Sequence, residues 1–241
     1  MNLTQPILEG VLVKRYKRFL ADVILSDGTE ITVHCPNSGS MRGCAEPGYR
    51  VIISDSQNPK RKLRYTLEWV HNGKCWIGVN THRSNDLVEE AIRLGRIEHL
   101  RGYERLQREV KYGFENKSRI DILLEDANRG KCFVEVKNVS LISSNNSYQF
   151  PDAVTQRGLK HIHELVRMIK DGHRAVMFFV INRSDASFFE PAWEIDPTYS
   201  QALLEGIGEG LEVLSYQVHI EPPRASLESL VDLCLEVPEN R

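Results

Sequence analysis

The sequence predicts a two-domain α+β protein, a small β-barrel over residues 1–82 followed by a mixed α/β domain over 83–241. Three observations carry this expectation. The first third breaks into short runs rich in β-branched and aromatic residues, separated by tight-turn chemistry and lacking a helical period. Helical periodicity begins only beyond residue 84. The two parts also differ in charge: residues 1–82 hold 11 Lys+Arg against 7 Asp+Glu, and the remainder holds 20 against 26.

In chain order, strands are expected over 7–13, 19–25, 30–34, 50–54, 66–71 and 75–79. Ser26-Asp27-Gly28, Pro36-Asn37-Ser38-Gly39, Glu46-Pro47-Gly48 and His71-Asn72-Gly73 supply the residues that tolerate turns between them. Many short strands with regular turns predict a barrel or sandwich, and the oligonucleotide-binding (OB) barrel is one such fold. A helix is expected over 86–94, with Ser84 or Asn85 as its cap and Gly95 as its stop. Beyond it come a helical or irregular stretch near 97–106, a strand near Glu109, a hairpin over 119–140 and a long helix over 155–170. A buried strand over 175–181, a helix over 197–205 and a strand over 211–220 complete the second domain.

Composition narrows the function classes. Apolar residues make up 41% and charged residues 27% of the 241, as in ordinary globular proteins. The five cysteines are scattered without Cys-x-x-Cys spacing, which fits a reducing cytoplasm. The start lacks a signal-peptide pattern, and the longest apolar run, 175–181, is too short for a bilayer, so no membrane association is expected. The cationic excess of the first domain is clustered. Arg15, Lys17, Arg18 and Phe19, and Lys60, Arg61, Lys62 and Arg64, place cations beside aromatic residues, the combination that follows a phosphate backbone and stacks on bases. DNA is therefore the expected partner, although such runs also occur on solvated strands.

The chemistry is expected in the hairpin. Ile120, Ile122 and Leu124 alternate along its first strand, and Cys132, Val134 and Val136 along its second, so both sets should face one core. Asp121, Glu135 and Lys137 then share the opposite face. A loop centred on Asn128 sets Asp121 across from Glu135. Facing carboxylates repel and call for a cation between them. Lys137 is one candidate, as in a simple Glu/Lys pair on a surface hairpin. A hard divalent ion, Mg²⁺ or Mn²⁺, is the other, with Asp121 and Glu135 as ligands and Lys137 orienting or deprotonating a water.

An Asp followed by Glu-x-Lys on adjacent strands resembles the PD-(D/E)XK nuclease superfamily, and the chain as a whole resembles the sugar fermentation stimulation protein A family. The resemblance is carried by residues 15–23 and 34–41 in the first part. In the second part Glu109-Val110-Lys111-Tyr112-Gly113, Ser118-Arg119-Ile120-Asp121, Glu135-Val136-Lys137 and residues 150–158 carry it. It implies an OB barrel, a nuclease-like domain, DNA binding and a regulatory link to sugar metabolism. It also implies that Glu109 joins Asp121, Glu135 and Lys137 as a catalytic residue. On the following helix Arg157, Lys160 and His161 share a face opposite Leu159, Ile162, Val166 and Ile169, and phosphate contacts from Arg157 and Lys160 are expected.

Other motifs exclude chemistry. Gly206-Ile207-Gly208-Glu209-Gly210 follows a helix and precedes a strand, the reverse of a dinucleotide loop, and reads as a helix stop. No phosphate-binding Gly-x-x-x-x-Gly-Lys motif occurs, and His161 and His163 point apart on a helix, against a zinc site. Two function classes remain: a metal-dependent nuclease whose barrel holds DNA, and a non-enzymatic DNA-binding regulator with a silent nuclease-like domain. Oligosaccharide binding by the barrel would need aromatic platforms without the cationic clusters.

Overall fold

The computed structural model describes residues 1–237, so the last four positions of the expected second domain lie outside the described residues. The first part is built from β1 (Ile7–Tyr16), β2 (Leu20–Leu25), β3 (Glu30–His34), β4 (Arg50–Asp55), β5 (Tyr65–His71) and β6 (Trp76–Gly78). The strands run in the order β3-β2-β1-β4-β5, and His34 of β3 pairs with Thr66 of β5, which closes a five-stranded barrel. Closure needs a long strand that bends. β1 bends at a bulge between Leu12 and Lys14, and Gly10 lets β2 cross closely, since a Cβ there would lie 2.4 Å from Val23 Cγ1. Leu12, Val23, Val33, Val51, Ile53 and Leu67 fill the interior.

Helix α1 (His82–Arg93) follows, beginning one turn earlier than expected. Ser84 and Asn85 are therefore not caps. They lie inside the helix with their side chains bonded to Asn138 and Asp121. Gly95 does stop the helix, at φ 65°, with its N–H donating to Ile92 O. The remaining elements are β7 (Arg105–Tyr112), β8 (Ser118–Asp126), β9 (Gly130–Val139), β10 (Leu141–Ile142), β11 (Ser147–Phe150), α2 (Gln156–Lys170) and β12 (Arg174–Ile181). They continue with β13 (Phe188–Pro191), α3 (Pro197–Gly208), β14 (Glu212–Glu221), β15 (Arg224–Leu230) and β16 (Asp232–Leu233). The main sheet has the order β15-β14-β12-β9-β8-β7, with β12 parallel to both β9 and β14.

Both faces of this sheet are covered. Ile122, Leu124, Val134 and Phe178 pack with Leu87 and Val88 of α1 and with Ile52 and Trp69 of the barrel. Leu123, Phe133, Met177 and Phe179 pack with Ile162 and Leu165 of α2 and Leu203 of α3. β12, buried on both faces, accordingly reads as a continuous apolar run. Ile120, assigned by alternation to the face of Ile122 and Leu124, packs instead with Leu123 and Phe133, because the strict alternation ends at Asp121.

Asp196 fixes the starts of both covering helices. Its Oδ1 accepts the Tyr199 N–H at 3.0 Å as the cap of α3, and its Oδ2 accepts the N–H of Thr155, the cap residue of α2, at 2.8 Å. Thr155 Oγ1 in turn accepts the Gly158 N–H at 3.0 Å. A small sheet, β10-β11-β13-β16, lies beside the main one and was not expected from the sequence. No described helix is long and apolar enough to cross a membrane.

Candidate metal centre and nucleic-acid interface

The main sheet brings three acids to one level. β8 pairs with β9 at Ile122↔Val134, Leu124↔Cys132 and Asp126↔Gly130, the register centred on Asn128. β7 pairs with β8 at Arg108↔Ile122 and Val110↔Ile120. Continuing both registers places Glu109, Asp121 and Glu135 side by side on adjacent strands. At that level the regular pairing is interrupted: Glu109 takes φ 55°, and the Val136 N–H donates to Asp121 Oδ2 at 2.8 Å.

The carboxylates differ in surroundings. Asp121 Oδ1 accepts from Asn85 Nδ2 at 2.9 Å, and burial followed by the negative charge of Glu135 pushes its carboxyl up to about 6. Glu135 is 2% exposed. Burial alone would raise its carboxyl, but Lys137 and His161 outweigh burial and hold it below the usual range. Its Oε1 accepts from Lys137 Nζ at 2.7 Å and also meets His161 Nδ1. With Nδ1 donating to Glu135, His161 Nε2 accepts from Arg157 Nε at 3.4 Å. Glu135 Oε2 and the nearby Tyr112 and Tyr199 hydroxyls are buried without a hydrogen-bond partner among the described residues.

These atoms fit a hard divalent cation. A buried carboxylate oxygen without a partner and a neighbouring carboxylate destabilised by repulsion both gain from an added positive charge. Among the described residues no group of three or more His, Cys, Asp or Glu is arranged to hold a metal. Asp121 and Glu135 are two carboxylates, the number Mg²⁺ takes when waters and substrate oxygens complete its shell.

Above them opens a cleft of 590 Å³. Asp121, Lys137 and Glu109 line it together with Asn85, Asn138 and Arg157, while Glu135 lies beneath. The barrel contributes the opposite wall through Arg18 and the loop Asn37-Ser38-Gly39. That loop is fixed to the second domain: the Ser40 N–H donates to Asp152 Oδ2 at 2.7 Å, and a Cβ on Gly39 would sit 2.2 Å from the same oxygen. Ser84 and Asn138 of the cleft lining join the buried Asn182, whose Nδ2 donates to Asn138 Oδ1 at 2.6 Å and to Ser84 Oγ at 3.1 Å.

The expected DNA contacts divide. Arg18 and Arg157 reach the cleft. Arg15 does not present its charge: its guanidinium donates to Asn37 O at 2.8 Å and Gly39 O at 2.9 Å, shaping the loop. Arg64 pairs bidentately with Asp55 at 2.8 and 2.6 Å. Lys17, Lys60, Arg61, Lys62 and Lys160 are exposed, and Phe19, 45% exposed, stacks on His34. His161, expected on a solvated face, is buried against Glu135 because α2 packs that face on the sheet. Sequence reasoning missed Asn85 as a partner of Asp121 and His161 as a partner of Glu135. Neither carries a local spacing signal.

Residues 13–79 match the family profile described as SfsA N-terminal OB domain, and residues 82–224 match that described as Sugar fermentation stimulation protein RE domain. A "Sugar fermentation stimulation protein homolog" from Pelobacter propionicus is 49% identical over 230 residues, covering 95% of this chain and 98% of that protein. One from Shewanella denitrificans is 50% identical over 231 residues, covering 94% and 97%. The solved structure of Pyrococcus furiosus SfsA in complex with Ca²⁺ shares the fold, with a TM-score of 0.86 at 24% identity over 97% of this chain and 99% of that one.

Proposed function

This chain belongs to the sugar fermentation stimulation protein (SfsA) family, and on that premise we propose that it binds DNA and cuts phosphodiester bonds at Asp121, Glu135 and Lys137 with Mg²⁺ or Mn²⁺. One observation carries the reading: three acids stand at one level of the sheet beside a lysine, with Asp121 and Lys137 lining a cleft walled by a second domain and Glu135 beneath it. In this reading residues 1–82 hold the nucleic acid and residues 83–241 carry the reaction.

Asp121 and Glu135 would hold the ion, which when bound supplies charge to the phosphate and lowers the pKa of a water. Asn85 and the Val136 amide hold the Asp121 carboxylate in one orientation, which would spare it reorganisation on taking up an ion. His161 anchors Glu135 from behind. Lys137, its side chain 13% exposed, orients the attacking water at the cleft floor, and Glu109 at the cleft edge positions further waters. Arg18 and Arg157 take the flanking phosphate oxygens from opposite walls.

The relative solved with Ca²⁺ supports a divalent ion in the family. The link to sugar metabolism rests on the family's name. Five free cysteines, three of them buried, fit a reducing cytoplasm. A second reading, a DNA-binding regulator without turnover, is favoured by Glu135 lying below the cleft with one oxygen already engaged. The deciding experiment compares cleavage of single- and double-stranded DNA in Mg²⁺ or Mn²⁺ by wild type and Lys137→Ala prepared identically. Ion-dependent cleavage by wild type alone supports the nuclease, and DNA binding without cleavage by either supports the regulator.

A further inference from the structure

The cleft above the carboxylates continues along the barrel. His82, exposed in the first turn of α1, lines both that cleft and a second cavity of 310 Å³. His34, Arg61, Glu68 and Arg83 also line the second cavity. Its charge is unbalanced. Glu68, 1% exposed, accepts from Arg83 at 2.9 and 3.1 Å, from Ser54 Oγ at 2.6 Å and from Asn80 Nδ2 at 2.8 Å, so it is saturated and neutralises Arg83. Arg61, His34 and His82 remain.

Arg61 donates to the neutral Thr66 Oγ1 at 3.2 Å, and among the described residues no carboxylate is paired with Arg61, His34 or His82. The three groups face one another closely enough that burial first, then Arg61 and His82, lower the His34 pKa. Arg61 thus brings a charge without a counter-ion, and the two imidazoles beside it bring N–H donors, which together suit an anion. A ring surface adjoins it: Phe19 stacks on His34 with centroids 6.5 Å apart, directly after Arg18 of the first cleft.

We propose that the two cavities form one track for a single-stranded nucleic acid, with the reacting phosphodiester over Asp121 and a neighbouring phosphate held by Arg61, His34 and His82. This rests on the nucleic-acid reading of the Asp121 site. The second cavity is at the small end of ligand pockets, which run from about 300 to 1,000 Å³, and takes one nucleotide. A duplex keeps its bases stacked within and offers no free ring to Phe19, whereas an unpaired strand presents both phosphate and base.

The test is fluorescence anisotropy on the full chain, in EDTA and again in Ca²⁺. Its probes are a labelled dinucleotide, DNA and RNA strands of about 12 nucleotides, within the span one OB barrel covers, and a DNA duplex of equal length. Wild type should prefer the single strands to the duplex. Arg61→Ala, on an exposed loop, should weaken the long strands about tenfold and lower their salt dependence by about 0.7 of a log unit per log unit, while leaving the dinucleotide unchanged. Arg61→Glu should weaken them further. The DNA and RNA arms identify which sugar the track prefers. Equal binding of the long strands by wild type and both variants overturns the track, and so does a preference for duplex. Failure of wild type to bind any probe overturns the nucleic-acid reading itself.

Discussion

The Asp121 carboxylate accepts the Val136 backbone N–H at 2.8 Å, so a side chain takes the place of a ladder bond at the centre of the main sheet. The bond holds Asp121 beside Glu135 although the two repel, and burial with that repulsion brings the Asp121 carboxyl to about 6. Asp121→Asn removes one of the opposed charges. In EDTA the variant should be more stable than wild type by about 1–3 kcal/mol, read from the denaturation midpoint. Mn²⁺ should raise the midpoint of wild type and leave Asp121→Asn unmoved. Equal Mn²⁺ responses would remove Asp121 from the ligand set.

Lys137→Ala should keep DNA affinity within about twofold, since the barrel cations are untouched, and lose cleavage by two or more orders of magnitude. Glu109→Gln should lose less, because Glu109 stands at the exposed edge of the level. Single-turnover rates on purified variants measure both. A greater loss in Glu109→Gln than in Lys137→Ala would reverse their roles.

Asp196 caps α3 and holds the first turn of α2 with its two oxygens. Asp196→Ala should therefore cost about 2–3 kcal/mol, against about 1 kcal/mol for Thr155→Ala, which loses a single cap bond. Urea denaturation with an unchanged m-value checks the difference. Equal losses would mean that only one Asp196 oxygen contributes.

Arg183, 2% exposed, pairs bidentately with Asp185 at 2.6 and 2.7 Å and donates to Ser140 O at 2.6 Å. Burial would raise the Asp185 carboxyl, yet the guanidinium outweighs it and holds the group at about 2. A carboxyl lowered in the folded state adds stability above its unfolded value near 3.8, and that stability fades as pH falls towards 2. Asp185→Asn should lose about 3–5 kcal/mol at pH 7 by stranding Arg183. It should also show a flatter stability profile than wild type between about pH 4 and 2. Parallel profiles would assign the acid sensitivity to other groups.

The sequence carried the hairpin well because its signal is local. Alternation set Glu135 and Lys137 on one face of β9, and the turn Asp126-Ala127-Asn128-Arg129-Gly130 set the register, although the alternation of β8 fails at Asp121. What lay over that face was not legible. His161 reads as a polar position on a helix, and only the parallel crossover from β9 through α2 to β12 brings it down on Glu135. Asn85 resembles a cap until the helix is seen to begin at His82. Arg15 and Arg64 show why charge runs overcount binding groups: carbonyls and carboxylates distant in sequence consume their donors. The strands β10, β13 and β16, two to four residues long, are too short to show a period.

The contact between Gly39 and Asp152 bears on heredity as well as on shape. The two residues come from opposite walls of the cleft, and a Cβ at position 39, 2.2 Å from Asp152 Oδ2, would force that carboxylate off the Ser40 N–H. A substitution on either wall therefore changes what the other tolerates. A hybrid that joins this barrel to the second domain of a distant relative should fail at this seam first, however well each half folds. Paired exchange of the loop around Gly39 with the segment around Asp152 should restore it.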